Sequence, residues 1–295
     1  MQIEARKMDG KKLHSIPLVG RQVIFVVFFA LIDFGFKYVS LGIATLESVI
    51  ASIMSGVLLS VVLGFIFSNF SYRRRTRIGV AWLSLFIIQF FSNFVEAVFF
   101  TTSLPDVMTF AGACIVGLIV SLLEAALTGL LFFSDKTNSS LKTTLAQYFN
   151  KSTKTDWVKR VLIGSIAYFP IYYTFGSIIA PLVLGFYNDP TQGTGLVVPS
   201  LSIIIPLEVF RGLLFIVALI PIIASLKVSR RTMLLCLTSF IYLVGAFVPF
   251  IAYSTLPLFL RLVHGAEILA DSIAYSAVLN YLFHKWPSNI ADYSQ

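Results

Sequence analysis

The chain has 295 residues, 57% of them hydrophobic and only 12% charged, with a mean hydropathy of +0.88 and a formal net charge of +8. Soluble domains carry about 25% charged residues, so this composition excludes a soluble enzyme, a soluble nucleic-acid-binding module and a disordered chain. With only two cysteines, Cys114 and Cys236, a disulfide scaffold is excluded as well.

A bilayer core is crossed by about 20 apolar residues in a helix. Eight segments meet that length, at roughly 21–40, 46–70, 79–101, 108–133, 158–186, 200–226, 232–253 and 256–284. The apolar runs are continuous and do not alternate, which argues against a membrane β-barrel. The first apolar run starts late and no small-residue cleavage site follows it, so the first span is read as retained. The fold class is therefore all-α, a polytopic integral membrane protein of about eight transmembrane helices, forming one transmembrane domain over 1–295. Its expected location is the cell (inner) membrane.

The basic residues set the expected orientation. Nineteen of the 22 Lys and Arg fall before span one, between spans two and three, four and five, six and seven, or after span eight. Such loops stay cytoplasmic, which puts both termini, including the segment 1–20, inside. Trp82, Trp157 and Trp286 fall at that same boundary, as an aromatic belt would place them. The Arg73–Arg77 cluster is read first as an orientation signal, and it could also touch anionic headgroups.

The polar stretch 134–157 separates two sets of four spans. It contains Leu141, Leu145, Tyr148 and Phe149 at helical spacing, which predicts a short helix on the inner surface. Asn138 and Asn150 open Asn-Xaa-Ser sequons that this orientation leaves unglycosylated. A parallel four-plus-four repeat is compatible with Arg75-Thr76 opening span three and Arg231-Thr232 opening span seven. Span four carries Ala113, Gly117, Ser121, Ala125 and Gly129 at i+4 intervals, a seam that lets helix backbones approach closely. Glu124 falls on the same face and should point into the bundle. Pro170, Pro181, Pro206, Pro221 and Pro249 lie inside spans, where neighbours must re-satisfy the freed carbonyls.

Ionisable groups at membrane depth are costly and tend to be functional. Six acids occur there: Asp33, Glu96, Glu124, Glu208, Glu267 and Asp271. The basic groups at that depth are Lys37, Arg211 and Arg261, with His264. Spacing predicts an i,i+4 pair of Asp33 with Lys37 and an i,i+3 pair of Glu208 with Arg211. With Arg261 pairing a third acid, three acids lack a fixed cation. Arg261, His264, Glu267 and Asp271 share one stripe of span eight, and Gln89, Asn93 and Glu96 share one face of span three. The candidate ion- or substrate-binding residues are therefore Glu208, Arg211, Arg261, His264, Glu267, Asp271, Glu96, Asn93 and Glu124. Counted along their helices, Asn93, Glu208, Arg211, His264 and Glu267 reach similar depths in the outer half, with Asp271 nearer the midplane and Glu124 deeper. An outward-opening polar cavity built by spans three, six and eight is expected.

Several chemistries fit such a cavity. A proton- or cation-coupled small-molecule or ion carrier would use the protonatable acids, the kinked helices and an anion-attracting Arg211 or Arg261. An intramembrane metal enzyme would use His264, Glu267 and Asp271 as ligands, with Glu208 or Glu96. No His-Glu-Xaa-Xaa-His is present, and Glu208-Xaa-Xaa-Arg211 with a lone His264 does not make the paired-Glu and two-His pattern of membrane CAAX-type proteases. A cysteine transpeptidase of the exosortase kind would need Cys114, Arg211 and His264 together. A non-catalytic membrane subunit would use the polar stripe to hold partner helices. The lipid bilayer is the one certain partner, no nucleic-acid partner is expected, and no cofactor is indicated. The composition leans to the carrier.

Overall fold

In a computed structural model, residues 16–41, 45–132, 139–187, 189, 191, 194–252 and 256–284 are described, with side chains excluded at 36–41, 251 and 252. The described residues are helical throughout, with isolated bridges and no strands. Nine helices follow in order: α1 Leu18–Leu41, α2 Leu46–Ser68, α3 Arg74–Phe100, α4 Val107–Leu131, α5 Leu141–Phe149, α6 Lys154–Phe186, α7 Leu201–Ser225, α8 and α9 Leu258–Phe283. Helix α8 runs as Arg230–Ser239, Phe240–Phe247 and Val248–Ala252. All except α5 are long and apolar enough to cross a membrane, which gives eight candidate spans.

Polar residues set the helix ends. Asp106 Oδ1 accepts from the Thr109 amide at 2.8 Å, and Thr45, Ser140, Thr153 and Ser229 cap α2, α5, α6 and α8 in the same way. Each side chain takes one of the amides that a helix start leaves unpaired. The Thr109 amide and hydroxyl hold the exposed Asp106 carboxyl below its ordinary range.

The surface is apolar and the interior partly polar, the reverse of a soluble protein. Val19, Ile178 and Leu262 are each at least 63% exposed, while Ser52, Ser92, Glu124, Glu208, Arg211, Asp271 and Asn280 are buried. A surface of this kind fits hydrocarbon, and buried polar groups then bind helix to helix. The strongest packing pairs are α3 with α4, α6 with α7, α1 with α2, α8 with α9, and α6 with α9. Helix α7 lies centrally, touching α3, α5, α6 and α9.

Connections meet at two ends. At one, the Arg73 amide donates to Ser139 O and the Ser71 hydroxyl to Ser225 O. Tyr148 and Arg160 bond the last carbonyls of α9, at Phe283 and Leu282. At the other end, Thr102 pairs with Gly195 and Val197 with Phe100, and Arg261 reaches Glu47. The described basic connections all belong to the first end.

The short helix expected near 141–149 is α5. Trp157 does not sit in a lipid-facing belt: it is buried against Tyr148, Phe149 and Phe283. Trp82 is exposed and donates to Leu118 O at 3.0 Å. Trp286 and Asn138 lie outside the described residues, whereas Asn150 is the exposed C-cap of α5. The small-residue seam of α4 faces α3. A Cβ added at Gly117 would lie 2.9 Å from Phe90 Cβ, and one at Gly129 would lie 2.3 Å from Ile78 Cγ1.

Two features escaped the sequence reading. Phe86–Phe91 in α3 and Phe240–Phe247 in α8 are π-helical, and the two segments touch. Widened turns of this type release carbonyls and are frequent at functional sites. Asn93 Nδ2 takes up two of those carbonyls, Gln89 O at 2.9 Å and Gly245 O at 2.7 Å, one in each segment. The same asparagine therefore ties the two segments together.

The contact of α7 with α6 depends on one glycine. A Cβ at Gly212 would lie 2.6 Å from Ser165 O and 2.9 Å from Tyr168 Cβ, both on α6. Gly212→Ala is expected to lower stability by about 1–3 kcal/mol through overpacking. Unfolding in mixed detergent micelles would measure this, with Gly112→Ala, which meets nothing within 4 Å, as the silent control.

Candidate functional site

The site is built where α3, α6, α7 and α9 converge. Helix α7 brings Glu208 and Arg211 onto one face, three residues apart. Arg211 Nη1 lies 2.9 Å from Glu208 Oε2 and 3.2 Å from Oε1. Its Nη2 lies 2.8 Å from Glu96 Oε2 on α3, and its Nε donates to Ser92 Oγ at 3.2 Å. Tyr168 on α6 and Phe215 on α7 place their rings 5.6 and 6.0 Å from the guanidinium carbon. A planar, five-donor group suits this position because it can serve two carboxylates and a hydroxyl at once.

Helix α9 contributes the second part. His264 Nδ1 lies 2.7 Å from Glu267 Oε2, and Nε2 lies 3.1 Å from the Tyr187 hydroxyl. In the tautomer that carries its proton on Nδ1, His264 donates to Glu267 and its Nε2 accepts from Tyr187. At about 1.5 Å per residue, His264, Glu267 and Asp271 lie roughly 9, 14 and 20 Å along α9 from Leu258. Asp271 is 3% exposed and its Oδ1 has no hydrogen-bond partner. Its electrostatic neighbours are Glu267, Arg211, Glu208 and Glu96. Four carboxyl groups thus surround one guanidinium and one imidazole, and Asp271 is the one that neither basic group holds.

The predicted residues separate into four groups. Glu96, Glu208, Arg211, His264, Glu267 and Asp271 come together as expected, but the pairing differs. Arg211 holds Glu96 as well as Glu208, because α3 packs directly on α7. Asn93 serves the backbone carbonyls described above. Arg261 turns away from its stripe and faces Glu47 on α2 at 3.6 Å.

Glu124 forms a separate cluster between α3 and α4, where its Oε1 accepts from Gln89 Nε2 at 3.4 Å and its Oε2 has no partner. Asp33 accepts from Ser52 Oγ at 2.6 Å nearby, while the Lys37 side chain lies outside the described residues. Sequence reading missed Ser92, Tyr168, Tyr172 and Tyr187. The run Tyr168-Phe169-Pro170-Ile171-Tyr172-Tyr173, with two tyrosines i,i+4 around a proline, was the available signal.

Among the described residues the side chains gathered around Arg211 do not line the expected outward-opening cavity. Glu208, Arg211, Glu267 and Asp271 are all buried, and Tyr168, also buried, packs its ring beside the Arg211 guanidinium. Two recesses lie elsewhere, one beside Arg230 and one among Val95, Phe99, Pro206 and Phe210. Among the described residues no three His, Cys, Asp or Glu side chains are grouped as a metal ion requires. His264 and Glu267 therefore meet without Asp271 as a third ligand. Cys114 is half-buried on α4, which packs on α1, α2 and α3, and neither Arg211 nor His264 has it among its hydrogen-bond partners.

Compared with protein-family profiles, curated proteins and solved structures, the chain matches none.

Proposed function

We propose that the protein is a proton-coupled carrier of a small molecule or ion, seen in a closed conformation. One observation carries this reading. Tyr187, His264 and Glu267 form a hydrogen-bonded sequence of proton-exchanging groups beginning at the α6–α7 connection, and Asp271, four residues further along α9 and an electrostatic neighbour of Glu267, holds a buried carboxyl whose Oδ1 has no partner. Chains of this kind inside membranes are the usual means of moving protons. Arg211 acts as the fixed counter-charge that keeps Glu96 and Glu208 in place, and it links α3 to α7.

The basic connections support an orientation with both termini cytoplasmic, which places Tyr187 on the outer side. The two touching π segments, one in the third span of each half, support the four-plus-four arrangement. Transport requires this contact to open and re-form.

The test uses proteoliposomes with a lumenal pH indicator and a potassium diffusion potential set by valinomycin. Proton uptake should exceed that of protein-free vesicles and fall to background in His264→Gln, which keeps the ring's size and polarity in part but cannot relay a proton. Uptake equal to that of empty vesicles in the wild type would end the carrier reading.

A further inference from the structure

The end of the bundle that gathers the basic connections holds a recess that the relay does not use. It measures about 430 Å3 and is lined by Ser229, Arg230, Arg231, Leu234, Ala277 and Asn280, between the first turns of α8 and the last turns of α9. Both arginines are exposed. The Arg230 guanidinium lies 5.9 Å from the centre of the Tyr281 ring, and Tyr281 is 73% exposed on the apolar surface. Leu235, 67% exposed, stands on the adjoining face of α8.

An independent observation points to a ligand. Asn280 is 4% exposed and its Nδ2 donates to Arg230 O at 3.0 Å. That bond fixes the amide's orientation and leaves Oδ1 as a buried acceptor with no donor. The recess thus offers two guanidinium groups, the positive end of α8, and one unanswered acceptor. A phosphodiester answers only the first two, because it has no O–H to donate to Oδ1, so the donor must be a hydroxyl elsewhere on the ligand.

We infer that this recess binds the headgroup of an anionic phospholipid that carries a free hydroxyl, phosphatidylglycerol being the simplest. Arg230 and Arg231 take the phosphodiester, and Asn280 Oδ1 accepts from a headgroup hydroxyl. Tyr281 and Leu235 lie alongside the acyl chains. The position at the ends of two spans, next to exposed apolar side chains, selects a lipid over a soluble phosphate, and basic pockets between membrane helices are a known form of headgroup site. Bound there, the lipid would tie the start of α8 to the end of α9, the helix that carries the relay.

The experiment measures the thermal midpoint of delipidated protein in detergent against short-chain phosphatidylglycerol, phosphatidic acid, phosphatidylcholine and glycerol phosphate. Phosphatidylglycerol should raise the midpoint most, phosphatidic acid less, and phosphatidylcholine not at all. Arg230→Gln with Arg231→Gln should weaken the phosphatidylglycerol titration by about tenfold or more. Because both side chains are exposed, the unliganded midpoint should be retained, and Arg231→Gln alone should give a partial loss. Asn280→Leu should remove the preference for phosphatidylglycerol over phosphatidic acid. An undiminished shift in the double variant, or an equal shift with phosphatidylcholine, would overturn the site. A full shift with glycerol phosphate alone would overturn the lipid assignment in favour of a soluble phosphate.

Discussion

Replacing Arg211 with Met should destabilise the protein by about 3–5 kcal/mol, the usual cost of removing one partner from a buried ion pair. The side chain is buried and answers two carboxylates and a hydroxyl from two helices. Without it, Glu96 and Glu208 face each other with no cation between them. Arg211→Lys should recover only part of the loss, because an ammonium cannot span Glu208, Glu96 and Ser92 in one plane. Unfolding in mixed detergent micelles, followed by loss of helical signal, measures both. A midpoint unchanged in Arg211→Met would mean that α3 and α7 are held by packing alone, and the guanidinium would lose its place as the organising charge.

Asp271→Asn should have the opposite profile. The carboxamide has nearly the same shape, and the carboxyl Oδ1 it replaces has no partner to lose. The folded protein should therefore be at least as stable, since a buried unsatisfied polar group costs about 1–3 kcal/mol and more when charged. Proton uptake in vesicles should nevertheless fall to background. Stability retained with function lost separates a working carboxyl from a structural one. Arg211→Met with Asp271→Asn gives a further check, since the two groups are electrostatic neighbours and their effects should not add.

The sequence made the spans legible because membrane crossing depends on length and hydropathy, and both are local. All eight expected segments coincide with the candidate spans within a few residues at most ends; span five begins earlier, at Lys154, and span three at Arg74. The faces that carry Glu96, Glu208 and the α9 stripe were legible too, since helical periodicity fixes which residues align.

Pairing between helices was not legible. The polar faces say which side of a helix turns inward but not which helix it meets, so neither Glu96 as Arg211's second partner nor Glu47 as Arg261's could be read. The π segments have no propensity signature: Phe86–Phe91 and Phe240–Phe247 look like any apolar run. Nor could the burial of Glu208, Arg211, Glu267 and Asp271 be anticipated. Whether a polar face opens to water depends on side chains from other helices, here Tyr168 of α6 beside Arg211.

The central claim is that Asp271 takes up and releases a proton inside the bundle, at the end of a path through Glu267 and His264. Infrared difference spectra between acidic and alkaline buffer, recorded on wild type and Asp271→Asn in the same lipid, address it without a substrate. A protonated-carboxyl band that appears and vanishes with pH in the wild type and is missing from the variant is the predicted result. Identical difference spectra from the two proteins would contradict it.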